Sequence, residues 1–365
     1  MTTVANRSMT LSANALATKP VDQVITEMGG SDVVFDVGQS FRTDCFASVM
    51  LACALSRTAR QVTLKLPVTG VSDGIEESFA RSLLGPLIWR STRPSAGSIS
   101  SDEIAGTALA HVDRDRHLFA VSTSLLESRT PSAFQADLAR WMVAARISVD
   151  ASVFDRVAAL TYEANANAEE HGSTRLTHAK TFDGRPVFRC FAMRLHDEPS
   201  TPLSPMAGRY LQEYARHFSQ RTRWLEVVVG DSGMGIAYPR FLLRAQSMRS
   251  SITDIYQASF HAEAGQLDEL LTKTTSTKGY WGRAQSTYGP VGQGFSLMKR
   301  NLVRLRGFGA VRAGRCAATI ACANAIFSES EERSVEYTVV GEELPQFGGT
   351  VWSLLLPLDQ QRELF

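Results

Sequence analysis

The sequence predicts an α/β fold in two parts, a small N-terminal α/β domain over residues 1–146 and a larger one over 147–365. A strand–helix–strand pattern opens the chain, and a long helix running to Gly172 opens the second part. A glycine-rich loop then leads into a helix near Gly294, before a strand-rich end. At 365 residues the chain exceeds one typical domain, which agrees with two.

Taken in order, Val33–Val37 has the β-branched and aromatic character of a strand, and Gln61–Leu66 alternates with period two. Phe46–Leu55 between them is apolar and helix-favouring; if the flanking strands are parallel, the crossover is right-handed. Ile75–Leu84 reads as a helix stopped by Gly85-Pro86. His117–Ser122 reads as a strand, and Pro131 starts an amphipathic helix that includes Phe134–Arg146. The second part begins near Ile147, where Asp150 or Ser152 caps a helix that passes Val157 and Leu160 and ends at Gly172. Pro186–Met193 and Leu225–Val229 are strands, separated by a Pro-rich loop and a helix over Tyr210–Ser219. Gly289–Arg306 is a glycine loop followed by a helix. Val311–Cys322, Val335–Val340 and Thr350–Leu356 complete the strands.

Composition excludes several classes. Lys+Arg 38 against Asp+Glu 37 gives a net charge of +1, so no global field draws the chain to nucleic acid or an anionic membrane. No apolar run approaches the ~20 residues that span a bilayer. The five cysteines, Cys45, Cys53, Cys190, Cys316 and Cys322, form no C-x-x-C pair and no closed disulfide set, which points to reduced thiols in the cytoplasm. The Ser/Thr/Ala-rich start carries only Arg7 and Lys19 before Asp22 and reads as a frayed terminus or a first helix rather than a transit peptide. His111 and His117, in the run His-Val-Asp-Arg-Asp-Arg-His, read as part of a solvated turn rather than a metal site or phospho-acceptor.

The chemistry concentrates in three motifs. Glu163, Asn167 and His171 stand at i, i+4 and i+8, so on a helix each step turns by about 40° and the side chains share a face. A carboxylate that can polarise water thus lies one turn from an amide oxygen suited to Mg²⁺. Asp231-Ser-Gly233-Met-Gly235 follows a hydrophobic strand, and a strand-end carboxylate there can accept from an exocyclic amine while the glycines admit a flat ligand. Gly289-Pro-Val-Gly292-Gln-Gly294 precedes a helix start, where backbone N–H groups and the positive helix end suit phosphate.

In this order, with Gly349-Thr350 leading a final strand, the motifs over about 147–358 resemble the GHKL superfamily of ATP-binding domains found in gyrase, heat-shock chaperones, mismatch-repair ATPases and histidine kinases. The resemblance implies a two-layer α/β sandwich of the Bergerat type with a mixed sheet. It implies that ATP and Mg²⁺ are the cofactors, with Asn167 as the magnesium ligand and Glu163 as the residue that activates water. Asp231 would take the adenine amine, Gly233 and Gly235 shape the pocket, and Thr350 supports it through water. Gly289, Gly292 and Gly294 would meet the phosphates. Phe295, where a small aliphatic residue is usual, and Pro290 depart from the pattern.

The segment 237–288 takes the position of the family's ATP lid and supplies Lys273, Lys278 and Arg283 as cations for a γ-phosphate, Lys278 being assigned a catalytic role. His171 either contacts the phosphates or bonds near the helix end, and Glu170 is read as a salt-bridged helix-end carboxylate. The expected function is Mg-dependent ATP hydrolysis driving a conformational switch, with a protein partner and a homodimer as candidate associations. Phosphotransfer to a partner, as in anti-sigma and histidine kinases, and ATP-gated binding without hydrolysis are the alternatives. The run His196-Asp-Glu-Pro199 approaches a kinase phospho-acceptor pattern but falls after the first nucleotide motif, and reads as a coincidence.

Overall fold

The computed structural model describes residues 8–11, 21–28, 32–36, 45–58, 61–65, 110–115, 117–123, 129–171, 189–196, 223–233, 235, 294–321, 336–340, 344 and 347–358. Strands β1 (Ser8–Leu11), β2 (Asp32–Asp36) and β3 (Gln61–Lys65) form a parallel sheet in the order β1-β2-β3. Helices α1 (Val21–Met28) and α2 (Cys45–Thr58) are its crossovers, so the strand–helix–strand expectation holds with parallel pairing.

The second sheet holds β4 (Ala110–Asp113), β5 (Leu118–Thr123), β6 (Arg189–His196), β7 (Trp224–Asp231), β8 (Phe308–Gly314), β9 (Cys316–Ala321), β10 (Glu336–Val340) and β11 (Phe347–Pro357). Its order is β10-β9-β8-β11-β7-β6-β5-β4, and each of these pairings is antiparallel. The expected mixed sheet is corrected by this. Tight turns force antiparallel pairing within β4–β5 and β8–β9, and β6 pairs antiparallel with β5. The run Val311–Cys322, read as one strand, is a hairpin that turns at Gly314, whose φ is 52°.

Among the described residues three helices cover one face: α3 (Pro131–Ala144), α4 (Ala151–His171) and α5 (Gly294–Arg304). Thr130 caps α3, its Oγ1 accepting from the Ala133 N–H at 3.1 Å with Pro131 in the first turn. At its other end Ile147 N–H donates to Met142 O and Arg146 N–H to Val143 O, with Arg146 at φ 57°. The end of α5 repeats this arrangement, Gly307 donating to Leu302 and Arg306 to Val303 with Arg306 at φ 49°. Both are Schellman closures with arginine where glycine is usual. On α4, Val153, Val157, Leu160, Ala164 and Ala168 recur at helical spacing and bury against Val227, Val229, Trp352 and Leu354 of the sheet.

The opposite face is covered by α2, which is buried continuously from Ser48 to Leu55 and packs on β6, β7 and β11. This layer, together with β4 and β5 in the same sheet as β6, overturns the expected division at 146/147: strands from both sides of that line share one ladder, β5 pairing with β6 from Leu118↔Arg194 to Thr123↔Arg189. The sheet is therefore helix-covered on both faces, where a two-layer sandwich was expected. Arg312, 2% exposed, ties the layers. Its Nε donates to Asp22 of α1 at 3.2 Å, and its Nη1 donates to the carbonyls of Gly314 and Cys316. Among the described residues no helix is long and apolar enough to cross a membrane. The expected helices over Ile75–Leu84 and Tyr210–Ser219 lie outside the described residues.

Candidate functional site

β7 ends at Asp231, and the chain turns there because the carboxylate takes hold of the backbone. Asp231 Oδ1 accepts from the Gly233 N–H at 2.8 Å, an Asx turn. Gly235 follows at φ 75°, a conformation open chiefly to glycine. Thr350 stands directly opposite Asp231 on β11. Beside it the β11–β8 register shifts between Phe347 and Thr350, and Gly349 adopts φ 112°. A Cβ on Gly349 would lie 1.9 Å from the Asp231 carbonyl oxygen, so only glycine lets the two backbones approach. Asp231, Ser232 and Thr350 are all buried.

Helix α4 packs on β7 and β11, with α5 packed along it. Glu163 and Asn167 are half-buried on α4, one turn apart, beside the apolar stripe of Leu160, Ala164 and Ala168. The Asn167 Nδ2 is buried and has no hydrogen-bond partner. His171 is the last residue of α4 and Gly294 the first of α5; their side-chain surroundings and those of Glu170 lie outside the described residues. Lys273, Lys278, Arg283, Gly289 and Gly292 also lie outside them, as does the 237–288 segment. Glu163 and Asn167 thus share one helix, and Asp231, Gly233, Gly235 and Thr350 share the ends of β7 and β11, two strands on which that helix packs.

Comparison with family models, curated proteins and solved structures returns no match.

One residue of the strand ends was not legible in the sequence. Arg189, 4% exposed, opens β6 directly opposite Asp231, and their common register gives the row Arg189, Asp231, Thr350 across adjacent strands. Nothing in the local sequence distinguishes Arg189, because its relation to Asp231 exists only through strand pairing. Behind the same strand end, α2 presses Cys53 against the sheet. Burial first, then contact with Cys190 and the charge of Asp231, raise the Cys53 thiol well above its ordinary range, so it stays protonated and unreactive near neutral pH. On α5, burial lowers the pKa of Lys299, whose side chain lines a small apolar cleft with Leu160 and Trp352.

Two of the described histidines, His117 and His196, have structural partners. His117 Nδ1–H donates to the Ala145 carbonyl at 3.1 Å, joining the start of β5 to the end of α3. His196 is buried on β6, its Nε2 2.8 Å from Glu226 Oε2. Among the described residues no group of three or more His, Cys, Asp or Glu forms a metal cluster.

Proposed function

We propose that the chain binds Mg·ATP through a GHKL-type site built on α4, β7, β11 and the start of α5, and hydrolyses it to drive a conformational change read by a protein partner or a second copy. The observation that carries this is the Asp231 Asx turn, a buried carboxylate facing Thr350 with glycines at both approaches. One of its oxygens accepts from the Gly233 N–H, and the carboxylate is the group that would meet the amine of a base.

Asn167 fits a magnesium ion. Mg²⁺ takes oxygen ligands, commonly one or two from protein and the rest from phosphates and water, and a carboxamide oxygen suits it. The buried Nδ2 of the same amide lacks an acceptor. An unsatisfied buried donor costs about 1–3 kcal/mol, and a phosphate oxygen at that position offsets it. A magnesium ion held by Asn167 would supply charge neutralisation for the phosphates. Glu163, one turn back on the same face and half-buried, is the group that orients a water and takes its proton.

The test measures Mg·ATP binding, phosphate release and label transfer to candidate partners for the wild type, Glu163→Ala and Asn167→Ala. Glu163→Ala is expected to retain binding and lose phosphate release by about 100-fold or more. Asn167→Ala is expected to weaken Mg-dependent binding by about tenfold or more, a loss of about 1.4 kcal/mol. Label transfer without phosphate release favours the kinase alternative, and tight binding with neither favours an ATP-gated switch. Folded wild-type protein that binds no nucleotide removes the assignment.

A further inference from the structure

The helix-facing side of the central strands is apolar row after row and then turns charged. Residues directly opposite one another on paired strands point to the same face, with Cβ atoms about 4.5–5.5 Å apart. Leu195, Leu225 and Leu356 make one such row, Met193, Val227 and Leu354 the next, and Phe191, Val229 and Trp352 the next. These belong to the core under α3, α4 and α5. The following row is Arg189, Asp231 and Thr350, which is buried as well.

A guanidinium does not lose its proton in a protein, so the charge at 189 is fixed. A buried carboxylate has a choice. Burial alone drives it towards the neutral acid, and a cation directly across the ladder drives it towards the anion. The outcome sets the sense of recognition at Asp231, because an ionised carboxylate only accepts hydrogen bonds whereas the acid also donates. We propose that Arg189 is a positioning residue for base recognition: by holding Asp231 ionised within the Arg189–Asp231–Thr350 row, it makes the strand end select bases that present an amine and reject those that present a carbonyl at that point. This deepens the nucleotide reading above and rests on it.

The experiment compares equilibrium binding of ATP with that of inosine triphosphate, which carries a carbonyl in place of the amine, for wild type, Arg189→Met, Arg189→Gln and Arg189→Lys. Wild type is expected to favour ATP by about 100-fold or more, since a site built to hydrogen-bond a ligand N–H rejects an analogue lacking it by up to about 10⁴–10⁵. Arg189→Met and Arg189→Gln are expected to bring the two affinities within about fivefold, while Arg189→Lys keeps most of the preference because charge is retained. A folded neutral variant that weakens both ligands equally and keeps the wild-type ratio overturns the proposal in favour of a merely structural arginine. Failure of both neutral variants to fold overturns it in the same direction. Wild type that binds both triphosphates equally removes base selection at this row but leaves nucleotide binding standing; wild type that binds neither removes both.

Discussion

Gly349 and Gly230 hold the strand end from two sides by having no side chain. A Cβ on Gly349 would overlap the Asp231 carbonyl at a backbone φ of 112°, and one on Gly230 would lie 2.5 Å from Val49 Cγ1 of α2. Backbone cannot yield as a rotamer can, so the two sites differ in kind. Gly349→Ala is expected to cost about 3 kcal/mol or more, combining overpacking with an unfavourable φ. Gly230→Ala, meeting only side chains, should cost about 1–3 kcal/mol. Chemical denaturation of both variants measures the order; equal or negligible losses would refute the close approach at Gly349. At this scale the turn at the end of β7 was legible. Asp231, Gly233 and Gly235 sit within five consecutive positions, and an Asx turn is a local event that such spacing encodes. Arg189 was not legible, because its neighbour in space lies on another strand and only the ladder register makes the pair.

Helices were the most readable elements, since their apolar period and their stops are written within a few residues of each other. Pro131 and Phe134 marked α3, and Val157, Leu160 and Gly172 marked α4. The strand run from Val311 hid a hairpin, because Gly314-Arg315 offers only a weak turn signal between β-branched and small residues. The placement of α2 was invisible for a different reason: a helix apolar on every side signals burial without naming what buries it. Its neighbour α1 is joined to β8 by Asp22 and Arg312. Asp22, a third exposed, is expected to contribute about 1–2 kcal/mol through this contact, as for a hydrogen bond to a charged group. Arg312→Ala empties buried volume and strips two carbonyls of their donor, so it should cost about 3–5 kcal/mol. Urea midpoints of Asp22→Ala and Arg312→Ala test the order. A larger loss at Asp22 would mean that the arginine is held elsewhere.

For the whole molecule, the shared sheet makes residues before 147 part of the same folding unit as the candidate site. A chain restricted to 147–365 lacks β4, β5, α2 and α3, leaving β6 as an open edge and the apolar faces of Phe191 and Val229 without Trp141 and Phe134 nearby. Exposed strand edges pair with other chains. This fragment is expected to aggregate or to show no cooperative melt, whereas the 1–365 chain melts cooperatively; calorimetry and light scattering decide it. A monomeric fragment with a sharp transition would restore the two-domain division. The order β10-β9-β8-β11-β7-β6-β5-β4 carries one more consequence, in the time course of synthesis. β11 is made after every strand it joins, yet it lies between β8 and β7. Until 347–357 leaves the ribosome, the growing chain carries two half-sheets with facing unpaired edges, and the strand that brings Thr350 to Asp231 is the same one that welds them.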